Sequence, residues 1–299
     1  MRFLISLLCM LLTGCQSMQP VHTHGMDLSV SERTQLEHKA TSGDAEAAWR
    51  LYHYHSLEHH DETGAEPWLR RATELDHPQA QRSLANLIKD YKHSPKGFGA
   101  TAPAAVKHLL ERSARIEGSA CNELSAAYAE GYFGAPDHAK ARFYYERGAG
   151  FSDRTCWVKL SHYYRNGVGG SRNDAAAYYW ISLEARCVDP RSISGQETWI
   201  VREEIATHLP LPTLEHEWKT IDAFTADVTA KKVTVDFAPF LSGMINPKVE
   251  AEGRRLSQQR EDEHRKKCKS RIAQQDGGGN AHEPSSHPTT APPKSHATP

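Results

Sequence analysis

A repeated spacing of small, aliphatic and aromatic residues constrains this 299-residue chain more than any other feature of its sequence. One copy places a small residue, a leucine, a tyrosine and a glycine at Ala120, Leu124, Tyr128 and Gly131. The next copy keeps the spacing 36 residues later, at Cys156, Leu160, Tyr164 and Gly167. Steps of three and four residues place side chains on one stripe of an α-helix, and glycine ends a helix by accepting a positive φ.

Each copy also has a second half, in which an aromatic residue lies between alanines. Tyr144 and Trp180 hold this position, again 36 residues apart. Small residues let two helices approach closely, and the aromatic ring fills the gap beside them. The sequence therefore predicts an all-α fold, an α-solenoid of stacked antiparallel helix pairs. The predicted repeat core is Leu51, Leu84, Leu124, Leu160, Tyr144 and Trp180.

These motifs resemble the Sel-like repeats, which are relatives of the tetratricopeptide repeat. Residues 118–150 and 154–187 match the pattern well, whereas 43–77 and 78–117 match in part. The family glycine after the leucine is replaced by serine at Ser125 and Ser161. The resemblance implies a helical-repeat protein that binds another protein on its concave face.

The repeat region is predicted to span 29–190 and to open with a capping box, because Ser29 and Glu32 have the required spacing. Residues 191–245 are expected to form capping helices followed by a strap. The apolar segment 233–245 is read as that strap, with an exposed docking segment as the alternative.

The remaining C-terminal residues are strongly polar. A charged helix is predicted at 246–275 and is expected to be solvated and poorly packed, with contact to anionic lipid as the alternative. The tail 276–299 has five prolines and no aromatic residue, which predicts disorder.

The N-terminus has a short apolar run that ends in Leu12-Thr13-Gly14-Cys15. This motif resembles the lipobox of bacterial lipoproteins, which implies a signal peptide at 1–14, lipidation of Cys15 and a tether at 15–28. The next residue is Gln16 rather than aspartate. The resemblance then implies the inner leaflet of the outer membrane, with the protein facing the periplasm.

Four cysteines remain for an oxidising compartment, at Cys121, Cys156, Cys187 and Cys268. A bridge from Cys156 to Cys121 or to Cys187 is one alternative, and buried thiols are the other. No Cys-x-x-Cys or finger spacing occurs, so no zinc site is predicted.

Catalytic and cofactor motifs are missing from the sequence. His55 and His59 have i, i+4 spacing, but no His-Glu-x-x-His motif is present, and we predict neither a metal site nor a cofactor. No nucleophile elbow, phosphate loop or dinucleotide fingerprint occurs either, so we expect a non-enzyme. The formal net charge of −1 argues against a nucleic-acid partner.

We therefore predict a periplasmic lipoprotein whose partners are another protein and, through the lipid anchor, the membrane. The chain resembles immunity proteins that occlude type VI secretion phospholipase toxins. The alternative is an envelope adaptor or scaffold for a cell-wall or secretion component. The predicted partner-binding residues lie on first helices of the repeats, at Trp49, Tyr52, Asn122, Trp157 and His162.

Overall fold

A computed structural model describes residues 28–90, 102–229 and 247–277, and in these ranges the chain forms helices and no strand. The α-helices are α1 Val30–Thr41, α2 Ala45–His53, α3 Glu62–Glu74, α4 Pro78–Asp90, α5 Ala102–Ser113, α6 Gly118–Ala129, α7 His138–Gly150, α8 Arg154–Asn166, α9 Asp174–Cys187, α10 Ile193–Ala206, α11 Leu211–Thr229 and α12 Pro247–Gly277. A π-helix, Tyr54–Glu58, continues α2. The predicted fold class of stacked antiparallel helix pairs is confirmed.

Several predicted segments lie outside the described residues. They are the signal peptide, Cys15, the tether up to residue 27, the strap at 233–245 and the tail from residue 278.

Polar residues fix where the helices begin. The capping box predicted before α1 is present, since Ser29 Oγ accepts from Glu32 N at 3.3 Å and Glu32 Oε2 accepts from Ser29 N at 2.9 Å. Side chains cap further helices in the same way, at Asp44, Asp61, Asp137, Asp153, Asn173 and Ser192. The predicted stop at Gly167 is also confirmed, because this residue ends α8 with a φ of +66°.

The chain divides into two compact units, the first of which extends to Leu84. Here α1, α2 and α3 bury leucines and alanines, including Leu51, which is fully buried as predicted. Arg71 of α3 donates to the carbonyl oxygens of Ala40 and Thr41, each at 3.2 Å. The guanidinium of Arg71 therefore supplies hydrogen bonds to carbonyl groups at the C-terminal end of α1, which have no partner within the helix.

The second unit begins at Ala85 and holds the best-matching repeats. Leu124 and Leu160 are fully buried, as predicted, and Leu84 at the end of the first unit is also buried. Alanine and glycine allow the close contact between paired helices. At Gly148 an added Cβ would lie 2.5 Å from Cys156 Sγ and 3.1 Å from Cys121 Cβ, so no larger residue fits without a shift.

The predicted core aromatics need a correction. Tyr144 and Trp180 are only half-buried, whereas the adjacent Tyr145 and Ile181 are buried at the same 36-residue offset. Tyr145 lies one helical turn after the buried Ala141, and one residue of rotation moves a side chain by about 100°. Tyr144 instead stacks on Tyr128, with 5.7 Å between ring centroids.

The C-terminal helix α12 differs most from expectation. Four of its residues form a buried stripe with steps of four, three and four, at Ser257, Glu261, His264 and Cys268. The prediction of a solvated, poorly packed helix is therefore wrong. The 17 residues between α11 and α12 lie outside the described ranges.

Candidate functional site

Surface residues of α6, α8 and α10 in the second unit lie at equivalent positions on the three helices. On α8 the exposed residues are Thr155, Val158, Lys159, His162 and Asn166. On α10 the residues 38 positions later, Ile193, Gln196, Glu197, Ile200 and Glu204, are also exposed, and Ser194 is exposed beside them. The positions 36 residues before those of α8 are Ser119, Asn122, Glu123 and Ala126 on α6 and its C-cap Glu130, and these are half-buried or exposed. We call these fifteen equivalent residues the first-helix face.

Polar contacts show that the three helices adjoin. Ser119 Oγ of α6 lies 3.5 Å from Oδ2 of Asp153, the residue that caps α8. Arg165 of α8 forms an ion pair with Glu204 of α10. The exposed rows are therefore neighbours in space as well as in register.

The first-helix face carries three exposed apolar side chains among polar and charged ones, and its middle row is Glu123, Lys159 and Glu197. Val158 is 40% exposed, Ile200 is 62% exposed and Ile193 is 79% exposed. Ala126, His162 and Ile200 form one row across the three helices. Exposed apolar side chains that cluster, with polar groups around them, are typical of a protein-binding surface.

The predicted partner-binding residues differ in their exposure to solvent. His162 is exposed and Asn122 is half-buried, and both lie on the first-helix face. Trp157 is fully buried, its Nε1 donates to Ala149 O at 3.3 Å, and its ring meets Phe224 at 5.7 Å. Trp157 therefore belongs to the core, which corrects its assignment to a binding surface.

The other two predicted residues lie in the first unit. Trp49 is buried and stacks between aromatic neighbours, with ring centroids 5.1 Å from Tyr52 and 5.0 Å from His77. Tyr52 is half-buried. His77 Nε2 lies 3.1 Å from Glu46 Oε2, and His77 Nδ1 accepts from Ala80 N at 3.3 Å, so this cluster is held by packing and by polar contacts of His77.

Sequence reasoning missed Val158, Ile193 and Ile200. Val158 lies 36 residues after the predicted Asn122, and this repeat offset could have found it, whereas Ile193 and Ile200 follow a 38-residue offset from Thr155 and His162. That offset carries no repeated leucine or glycine, so it is visible only once exposure is known.

The histidine-rich segment of the first unit forms aromatic contacts. His59 packs against Tyr54 with 4.4 Å between centroids, and His55 Nδ1 lies 3.5 Å from Asp61 Oδ2. Burial lowers the pKa of His53. In the described ranges no group of three or more histidine, cysteine, aspartate or glutamate residues is placed to hold a metal ion.

The four cysteines at 121, 156, 187 and 268 are free thiols. Burial raises the pKa of Cys121 to about 12 and that of Cys187 to about 11. Cys121 Sγ donates to Ala114 O at 3.3 Å. Of the predicted alternatives, the structure contains thiols rather than a bridge, buried at Cys121, Cys156 and Cys268 and half-buried at Cys187.

Behind the first-helix face, α12 covers a buried charged cluster. The side chains of Arg202 on α10 and Glu261 on α12 are fully buried and form an ion pair. Arg202 Nη2 donates to Glu261 Oε1 at 2.9 Å, and Arg202 Nε donates to Ser182 Oγ at 2.7 Å. Burial acts to raise the pKa of Glu261, but the charge and hydrogen bonds of Arg202 outweigh it and lower the pKa to about 2.

Aromatic and further charged groups complete this cluster. The hydroxyl of Tyr178 accepts from Trp218 Nε1 at 2.7 Å and from Arg202 Nη2 at 3.0 Å, and it lies 3.0 Å from His264 Nε2. Arg265 Nε donates to Glu261 Oε1 at 2.7 Å. Burial, together with the charge of Arg202, lowers the pKa of His264 to about 3, so this imidazole is neutral.

Among the residues the structure describes, no helix combines the length and the apolar character needed to cross a membrane.

Two solved structures are similar to this chain. One is a Sel1 repeat protein from Oxalobacter formigenes, with 19% identity, a TM-score of 0.46 and a match over 64% of this chain and 76% of that one. The other is a protective antigen of uropathogenic Escherichia coli strains that displays an SLR fold, with 16% identity and a TM-score of 0.38. That match covers 86% of this chain and 53% of the antigen, so this chain spans about half the antigen's length. No family model and no curated protein matches the sequence.

Proposed function

We propose that this protein is a protein-binding helical-repeat lipoprotein of the periplasm, and that its partner contacts the first-helix face. The observation that supports this proposal is the exposure of the apolar side chains Val158, Ile193 and Ile200 on the adjoining helices α8 and α10. Folding leaves these side chains in water, where their burial by a partner contributes about 25 cal/mol per Å². The near-neutral chain gives little long-range steering, so shape and local contacts select the partner.

For the partner, we propose a phospholipase toxin delivered by type VI secretion, which this protein binds and occludes. The lipobox-like motif at Cys15 supports a location where such a toxin arrives. The sequence lacks a nucleophile elbow, a phosphate loop and a dinucleotide fingerprint, which fits a protein that acts by occlusion alone.

The binding face is tested by calorimetric titration with a phospholipase toxin, if the genes adjacent to this one encode such a toxin. Val158→Glu and Ile200→Glu each replace an exposed apolar side chain of the face by a charge, and we expect each to weaken binding at least tenfold, which is about 1.4 kcal/mol. The matched control is Phe143→Glu, because Phe143 is 55% exposed on α7, away from the face. Equal effects of all three changes would exclude the first-helix face.

The biological role is tested by deletion. Cells that lack this protein should be killed by siblings that deliver the toxin, and the wild-type gene should restore resistance. If the deleted strain survives as well as its parent, immunity is excluded. Binding to a cell-wall enzyme or secretion component instead would identify the envelope scaffold.

Lipid anchoring is tested at Cys15. We expect Cys15→Ser to move the protein from the membrane pellet to the soluble fraction, because the acyl chains supply the anchor. The matched control is Cys9→Ser, within the predicted signal peptide. Continued pelleting of the Cys15 variant after a high-salt wash would contradict lipidation.

A further inference from the structure

The large apolar side chains that the described part of the second unit exposes fall into two sets with opposite charges around them. One set is Val158, Ile193 and Ile200 on the first-helix face, which carries four glutamates and one lysine. The other set is Ile116, Phe143 and Phe151, and the exposed charged residues among these are basic. We call this second surface the α7 face, made of Arg115, Ile116, Lys140, Phe143, Arg147 and Phe151.

Most of the α7 face is a single stripe of α7 and its C-cap. The residues at steps of three, four and four are Lys140, Phe143, Arg147 and Phe151, which lie on one side of the helix and are exposed. The equivalent positions of α9, 36 residues later, are Ala176, Tyr179, Leu183 and Cys187, and none of these is exposed. The stripe is therefore not a general property of second helices, because only α7 presents cations and aromatic rings to water there.

The turn before α6 extends this stripe. Arg147 Nη2 donates to the carbonyl oxygen of Arg115 at 3.1 Å, which joins the end of α7 to that turn. A Cβ atom added to Gly118, two residues after Ile116, would lie 3.2 Å from Phe151 Cβ. The exposed Ile116 and the exposed Phe151 thus lie on neighbouring turns of the same surface.

The two guanidinium groups of the α7 face have no carboxylate partner. Neither Arg115 nor Arg147 forms an ion pair with a residue that the structure describes. The carboxylates of this region contact other groups, Glu111 with Lys107, Glu117 with Ser113, Asp137 with Lys140 and Glu146 with Arg142. The α7 face therefore offers two uncompensated cations beside exposed apolar side chains.

A bilayer that contains anionic phospholipid matches this combination. Lipid phosphates accept hydrogen bonds from guanidinium groups, and the boundary between headgroups and acyl chains takes up aromatic and aliphatic side chains. On α7 the rings alternate with cations instead of forming one continuous apolar patch. A lipid surface accepts such separate side chains without the matched pockets that a protein partner would need.

We infer that the α7 face lies on the anionic lipid surface of the membrane that holds the protein, with Phe143 and Phe151 among the headgroups and Arg115 and Arg147 on lipid phosphates. This inference rests on the proposed function in one respect, the acyl anchor at Cys15. The anchor limits the distance from the membrane, whereas the α7 face sets the orientation. The first-helix face is built from other helices, so it stays open to a partner.

The test uses the full-length lipoprotein in vesicles of phosphatidylcholine alone or mixed equally with phosphatidylglycerol. Phe143 is replaced by the photo-crosslinking residue p-benzoylphenylalanine, and lipid adducts are measured by mass spectrometry after irradiation. We expect about fivefold more adduct, or a larger excess, in the anionic vesicles. The matched control carries the same crosslinker at Ile200 on the first-helix face, where we expect few lipid adducts in either vesicle.

Two charge variants test the guanidinium groups. We expect Arg115→Gln/Arg147→Gln to lower the adduct yield at residue 143 by about fivefold or more, since each basic residue near an anionic surface strengthens binding about fivefold. The control Lys159→Gln/Lys219→Gln removes the same charge from exposed lysines elsewhere and should keep the wild-type yield. Equal losses in both double variants, at unchanged midpoints of thermal unfolding, would overturn the inference.

Flotation of the vesicles separates this inference from the proposed anchor. Protein that floats without lipid adducts at residue 143 keeps its anchor and contradicts the α7 face, as do equal adducts at residues 143 and 200. Adducts at residue 143 without flotation support the α7 face and count against lipidation alone. In whole cells, adducts of residue 143 with a protein and none with lipid would assign this surface to a protein partner instead.

Discussion

The helix pairs α6–α9 and the C-terminal helices α10–α12 bury different kinds of side chain between their helices. In the pairs, the contacts between helices are made by alanine, glycine, leucine and tyrosine, with Leu124 and Leu160 at the centre. Under α12, the centre is an arginine, a glutamate, a tyrosine and a neutral histidine.

This difference follows from the position of each region in the array. An interior pair is covered on both sides by similar pairs, so a uniform apolar surface is sufficient. The last pair needs one specific cover that further copies of the repeat cannot replace. A buried charge supplies that selectivity, because only a matching carboxylate can neutralise Arg202.

The largest expected effect is in the apolar region. We expect Leu160→Ala to lower the free energy of unfolding of the second unit by about 4 kcal/mol, since it removes a fully buried side chain and leaves a cavity. Urea titration followed by circular dichroism measures it. Leu57→Ala, at a half-exposed leucine of the first unit, should cost less than about 0.5 kcal/mol.

The next effect is in the charged region. We expect Glu261→Met to cost about 3 kcal/mol, because Arg202 stays buried without its carboxylate. Hydrogen exchange should rise in α12 before it rises in α8. The double variant Arg202→Met/Glu261→Met should recover most of the loss, and a double variant no more stable than Glu261→Met would contradict the pairing.

A pH dependence should arise from α11, which packs in the same region. Burial raises the pKa of Glu217 from 4.5 to about 7. The folded state therefore binds a proton more tightly than the unfolded state, so this stabilisation is complete below pH 4.5 and is lost as the pH rises through 7. The free energy of unfolding of the wild type should therefore be lower at pH 8 than at pH 5. Glu217→Gln should reduce this difference by roughly 2 kcal/mol, measured by unfolding at the two pH values.

The control for this pH prediction is Glu215→Gln. Glu215 lies on the same helix, and its side chain is 45% exposed. We expect this variant to keep the wild-type slope. If Glu215→Gln and Glu217→Gln change the pH dependence equally, the pH dependence arises from general charge effects and not from the burial of Glu217.

The smallest effect should be the same in both regions. Asp153 caps α8 by accepting from Cys156 N at 2.9 Å, and Ser192 caps α10 by accepting from Gly195 N at 3.0 Å. We expect alanine at either position to cost about 1 kcal/mol in thermal unfolding. A much larger loss at Ser192 would show that the two regions also differ in their helix ends.

These regions differ in how far the sequence predicts them. Leu124, Leu160 and Gly167 follow the repeat spacing, which can be read from the sequence. Because an α-helix brings residues with steps of three and four to one face, this spacing predicts which leucines are buried. Glu261 and Arg202 are 59 residues apart and belong to no period, so their pairing depends on tertiary packing. The polar sequence of α12 predicts exposure for the same reason, since nothing local marks Glu261 as buried.

The first-helix face was predicted in part. Asn122 and His162 lie on it because they follow the repeat register. Trp157 also fits a helix of that kind, but it lies one residue before the exposed Val158, and its large ring packs against Phe224. A register error of one residue thus exchanges a core position for a surface position.

The separation of Arg202 and Glu261 also has a consequence in time. The ribosome adds residues in order, so Arg202 is made 59 residues before the glutamate that neutralises it. At a translation rate of about 5–20 residues per second, Glu261 is synthesised about 3–12 s after Arg202. In that interval the nascent chain carries an unneutralised cation beside Trp199, and the later synthesis of α12 completes the charged cluster.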